Sequence, residues 1–161
     1  MSSMGVPPAG RPIRAVLVGG VSAGVLDILA AFIVYGLRGA SPVRILQSIS
    51  SGLFGGAAFQ GGLGMAALGL ALHFLIATVA AWVYYLAYLR MPALLRRPVA
   101  FGALYGIAVY VFMTFVVVPL SAVPKRPFSP GLAAVIVVVH IVCVGMPIAF
   151  ALRHYASSAR Q

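Results

Sequence analysis

Few side chains in this sequence can do chemistry, and those few sit in apolar surroundings. Asp27 is the one acidic residue among 161. His73, His140, Tyr110, Thr114 and Cys143 all fall inside long apolar runs. In a dry setting a carboxylate and two imidazoles can relay a proton, bind a cation, or lock helices together by hydrogen bonding. Catalytic groupings are poorly supplied. Paired carboxylates are excluded because there is no second acid. A Ser/His/Asp triad would need a loop serine, and no nucleophile motif supports one. HExxH, CxxC and the glycine-rich dinucleotide fingerprint are missing. Asp27, His73, His140 and Cys143 carry metal-ligating atoms, but without a diagnostic spacing on one helix. The sequence therefore reads as non-enzymatic, with no metal and no other cofactor expected.

The element that positions Asp27 is the run between Arg14 and Arg38, 23 residues with no other ionisable side chain. At ~1.5 Å per residue it is about 35 Å long, enough to cross a ~30 Å hydrocarbon core. Asp27 then lies near mid-depth, where an unpaired charge costs ~2.5–3.5 kcal/mol on insertion scales. On a helical wheel Gly20, Ala23, Gly24, Ala30 and Ala31 share its face, and Val18, Val25, Leu29 and Phe32 lie opposite. Small residues admit a neighbouring backbone, so the Asp27 face should point into the protein and the other face to lipid.

Composition agrees with a membrane setting. Hydrophobic residues make up 63% and charged residues 7%, against about 25% charged in soluble domains. A net charge of +10 would suggest nucleic acid in a soluble protein. Here the basic residues are spread over loops and tails, which fits orientation and attraction to anionic headgroups, with no nucleic-acid partner. The lone Cys143 cannot form an intramolecular disulfide.

Taken in order, the chain predicts an all-α integral membrane protein: four transmembrane helices in a compact bundle, with a short interfacial helix in the first loop. Residues 1–13 read as a flexible tail, 14–154 as the membrane domain and 155–161 as a second tail. The spans are placed at about 15–37, 66–89, 99–120 and 131–152. Ser41-Pro42 opens a helix, with Ser as N-cap and Pro in the first turn. Ile45, Ile49 and Leu53 share one side and Arg44, Gln47, Ser48 and Ser51 the other, so the apolar side should face acyl chains. The glycine-rich stretch that follows lacks the Gly-Lys-Ser/Thr ending of a phosphate loop. The 42–64 region is left open between an interfacial and a re-entrant course. Gly20 and Gly24 in the first span, and Gly102-x-x-x-Gly106 in the third, are helix-packing spacings. Pro119 closes the third span, and Pro147 should kink the fourth.

Counted from one end of the spans at ~1.5 Å per residue, Asp27, His73 and His140 lie ~15, ~10 and ~14 Å deep, a single polar layer joined by Tyr110 and Thr114. With the N-terminus inside, Arg11, Arg14, Arg90, Arg96, Arg97, Arg153 and Arg160 are cytoplasmic; Arg38, Arg44, Lys125 and Arg126 are outside. Seven against four favours both termini inside.

The first span GGVSAGVLDILAAFIVYGLR, the GxxxG span ending in Pro119-Leu120, the proline loop ending at Pro130, His140 and the basic end at Arg153 together resemble the YagU-like family of small bacterial inner-membrane proteins. That resemblance implies a bacterial inner membrane and four helices, and no reaction. Two functions remain in view. One is a non-enzymatic accessory or structural membrane component, alone or with a homo-oligomeric or other membrane-protein partner. The other is transport of a small solute, an ion or protons through the Asp/His layer.

Overall fold

The structure is a computed structural model that describes residues 10–124, 127 and 129–157. The remaining tail residues, and Lys125 and Arg126, lie outside the described residues. All regular structure among those described is helical, and four helices are long and apolar enough to cross a membrane. Helix α1 covers Gly10–Gly36 and α2 Pro42–Phe54. A 3-10 segment, Gly55–Gln60, leads into α3, Gly62–Arg90. Helix α4 runs from Pro98–Phe112 through a π turn at Met113–Val117 to Val118–Leu120. Helix α5 runs from Pro130–Val139 through a second π turn, His140–Gly145, into Met146–Ser157.

Three helices extend beyond the expected bounds. The start of α1 at Gly10 places 10–13 of the expected tail in helix, because Pro12 falls in the first turn, where its missing N–H has no partner to lose. Likewise α3 begins at Gly62, and α5 reaches Ser157. Both π turns have a proline explanation. A proline supplies no N–H to the carbonyl four residues back and crowds it, so the ladder slips by one residue just ahead of the ring. Phe115, four before Pro119, and Cys143, four before Pro147, each sit inside a π turn.

Helix α1 is central, packed on α3 to one side and on α5 to the other, with α4 against α5. The pairings are antiparallel and made through glycine. A Cβ on Gly20 would fall 2.7 Å from the Thr78 backbone, and one on Gly24 2.7 Å from the Phe74 ring. Gly19 abuts Ile148 and Ala151 of α5, and Gly102 abuts Gly145 and Ala149. These contacts sit in the half nearest the chain termini, whose core is Ala15, Val16, Ala23, Ala81, Tyr84, Val144, Ile148, Ala149 and Leu152. Tyr105 of α4 closes this end by donating its hydroxyl to the Ala80 carbonyl at 2.6 Å and stacking edge-on with Tyr84. Leu17, Val21, Val25, Leu29 and Ile33 form an exposed apolar stripe on α1, suited to lipid.

Helix α2 differs from its sequence reading. Its buried residues are Ile45, Gln47, Ser50 and Ser51, while Leu53 is exposed. The side with the hydroxyls packs inward because each serine satisfies itself. Ser48, Ser50 and Ser51 donate to the carbonyls of Ile45, Gln47 and Ser48, at 2.7, 3.0 and 2.7 Å. Gln47 reaches across to the Gly62 carbonyl at 2.9 Å. Gly69 of α3, lacking a side chain, lets the Leu46 carbonyl and Ser50 backbone come close.

Candidate functional site

The antiparallel register fixes what lies level with Asp27. Gly20 faces Thr78 and Gly24 faces Phe74; continuing that course along α1 sets Asp27 opposite Ala71, within one turn of His73. Gly19 faces Ile148 of α5, and eight residues further on Asp27 is level with His140. The consequence is a cavity of about 750 Å3 in the half of the protein away from the termini, lined by all five residues of the expected polar layer: Asp27, His73, Tyr110, Thr114 and His140. Apolar walls come from Ile28, Leu72, Ile76, Met113, Val117 and Ile136. Helix α2 and the segment 121–124 cover it, joined by the Ala122 N–H donating to the Gly52 carbonyl at 2.9 Å. Both π turns contribute lining residues, Met113, Thr114 and Val117 from one and His140 from the other.

The polar groups share the cavity without bonding to one another. The His73 Nε2–H donates to the Gly24 carbonyl of α1 at 2.9 Å. It reaches that carbonyl because Gly24 lets the Phe74 turn of α3 approach so closely. The His140 Nδ1–H donates to the Ile136 carbonyl in its own helix at 2.9 Å, and its ring meets Tyr110 edge-on at 5.7 Å. A carbonyl only accepts, so each bonded ring nitrogen carries the hydrogen. In the neutral rings His73 Nδ1 and His140 Nε2 are left as acceptors. Among the described residues no hydrogen bond or ion pair satisfies the half-buried Asp27 carboxylate. Asp27 and the two histidines are therefore separate acceptors around one space. Among those residues, too, no three His, Cys, Asp or Glu side chains converge to hold a metal ion. Cys143 is a free, half-buried thiol outside the cavity lining.

The four glycines singled out by sequence serve helix packing. Gly20 and Gly24 set α1 on α3, while Gly102 and Gly106 set α4 on α5, Gly106 against the His140–Ile141 backbone. Gly19 and Gly145 do the same work unannounced, since neither belongs to a spacing that singles it out, and Gly69, on the small-residue face of α3 that carries His73, packs on α2. Arg38 and Arg44 are the larger omission. Both line the cavity and both are exposed, at its outer edge. The turn between them is tightly specified. Gly39, at φ 85°, donates to the Gly36 carbonyl and Ala40 to that of Tyr35, the Schellman pattern. Ser41 then accepts from the Arg44 N–H, with Pro42 in the first turn. The Arg44 guanidinium lies 4.6 Å over the Phe59 ring. The available signal was two arginines bracketing a Gly-Ala-Ser-Pro turn.

No protein family, curated protein or solved structure matches this chain. Chemistry at the site has to be read from its own groups.

Proposed function

We propose that this chain is a bacterial inner-membrane protein, with both termini in the cytoplasm, that binds a small solute in its cavity and moves it with protons. It works without enzymatic chemistry, a cofactor or nucleic acid. Its proposed membrane fold is a four-helix bundle, with α2 at the outer interface as the cover. The resemblance to YagU-like proteins is consistent with this setting and adds no reaction. The supporting observation is that the Asp27 carboxylate and one ring nitrogen each of His73 and His140 are left as acceptors around one cavity, the other ring nitrogens being bonded to backbone carbonyls and none of the three side chains to another. A layer that only held helices together would satisfy its own groups, because an unsatisfied polar group in hydrocarbon costs several kcal/mol. Carboxylate and imidazole acceptors beside a cavity are the groups that take up and release protons in membrane transporters. The rival reading, a structural or accessory component acting alone, as a homo-oligomer or beside another membrane protein, draws its support from the glycine-packed half nearest the termini.

Purified protein in liposomes with a pH-sensitive dye inside, energised by a potassium diffusion potential, tests the proposal. Wild type should pass protons faster than protein-free vesicles, and Asp27→Asn should fall to the protein-free rate. Equal rates for the two proteins, or no flux from either, would overturn it.

A further inference from the structure

Resting on that proton-coupled reading, we infer that the solute is an anionic amphiphile: a carboxylate or phosphate head on an apolar chain, the head held by Arg38 and Arg44 and the chain along the cavity wall. The two arginines stand on either side of a turn held by the Gly39 and Ser41 motifs, and both face the same space. The Arg44 guanidinium lies over the Phe59 ring, a cation–π contact that uses none of its N–H groups and leaves them for an oxyanion. Guanidinium forks match carboxylate and phosphate oxygens in a bidentate way.

Charge at the other end orients the occupant. Asp27 lies nine residues before the end of α1 at Gly36, roughly 14 Å along the axis, and Arg38 stands in the turn just beyond that end. With His73, Tyr110 and His140 around it, this deep end offers acceptors and no fixed cation. An ionised head is repelled there and attracted at the mouth. Between the two ends the lining is Ile28, Ile45, Ile49, Met113, Val117 and Ile136, a wall for a hydrocarbon chain. The size is within the ~300–1,000 Å3 of small-molecule sites. Carrying the head inward past Asp27 is eased when that carboxylate holds a proton, which gives the coupling its physical cause.

Nanodiscs of neutral phosphatidylcholine titrated with radiolabelled laurate test this. Wild type should bind saturably, one per chain. The double variant Arg38→Gln/Arg44→Gln should bind at least tenfold more weakly, with Arg38→Lys/Arg44→Lys between the two. Dodecanol, with the same chain and no charge, should not displace laurate. Asp27→Asn should bind as tightly as wild type or tighter. A second arm uses discs containing phosphatidylglycerol. Competition there supports the same head chemistry and makes a bilayer lipid its source; no competition supports a free single-chain solute. Non-saturable uptake, equal binding by the Gln variant, displacement by dodecanol, or weaker binding by Asp27→Asn would each overturn the inference. Loss of laurate binding with proton flux intact sinks this inference alone. Binding without flux sinks only the proton-coupled reading.

Discussion

The two halves of this protein solve opposite problems with one composition. Near the termini, α1, α3, α4 and α5 close on one another through glycine and alanine, and backbones approach until no added carbon fits. Away from the termini the same helices separate around a cavity that holds the protein's one carboxylate. Without water to expel, apolar side chains gain little by leaving lipid for protein, so packing depends on close approach and backbone contact. On α1 the last close-packed glycine is Gly24, and Asp27 follows within one turn. The boundary between scaffold and site is thus written in side-chain size.

Adding bulk to each half should break or sharpen that contrast most. Gly145→Val drives a side chain into the Gly102 carbonyl and the Gly106 backbone, neither of which can give way. It should cost about 3 kcal/mol or more, read as a lower SDS fraction at the unfolding midpoint in mixed micelles. Ala31→Leu, on the cavity lining, adds the same three carbons and should cost less than about 1 kcal/mol. Similar losses from the two would mean that the halves are packed alike.

Charge should follow the same division. An acid at mid-depth costs ~2.5–3.5 kcal/mol on insertion scales, and no partner among the described residues offsets it for Asp27. Asp27→Leu should therefore leave the unfolding midpoint unchanged or raise it by up to ~2 kcal/mol, while abolishing proton flux. A clear loss of stability would make the carboxylate part of the scaffold.

Much of this was legible from single-helix patterns, and what was missed depended on two helices at once. Four apolar runs gave four long helices, and the wheel around Asp27 separated buried Ala23 from exposed Val25 and Leu29. Equal depth grouped Asp27, His73 and His140 because straight antiparallel helices preserve depth along the chain. Whether grouped residues bond to one another depends on lateral spacing, which Gly24 and Gly106 set and no spacing rule reports. Hence His73 chose a backbone carbonyl rather than Asp27. The α2 reading erred for a related reason: serines look polar on a wheel, yet they satisfy themselves within the helix and pack as small residues. Arg38 and Arg44 were counted for orientation and attraction to anionic headgroups and not for the cavity, since their shared direction arises in the turn between them.

Gln47 measures how firmly the cover is held over the open half. Its amide donates to the Gly62 carbonyl from a site only 5% exposed. Gln47→Ala removes that bond and should cost about 1–2 kcal/mol. Hydrogen exchange should also quicken in α2 before any other helix. Unchanged exchange there would mean that the Gly69 contact alone retains α2.

The smallest effects come from two tyrosines stacked at the packed end, and they test whether that half tolerates any unmet polar group. Tyr105 donates to the Ala80 carbonyl, whereas the Tyr84 hydroxyl is buried without a partner, the only such side-chain atom found among the described residues. The rings touch at a centroid distance of 4.9 Å, so replacing either by Phe keeps shape and stacking. Tyr105→Phe gives up one interhelical bond, worth on average ~0.6 kcal/mol within a membrane. Tyr84→Phe removes an unsatisfied hydroxyl and should be neutral or stabilising by about 1 kcal/mol. Opposite signs in matched SDS titrations are the expected outcome. If both substitutions destabilise equally, Tyr84 has a partner in solution, such as a trapped water, and the packed half contains a polar site of its own.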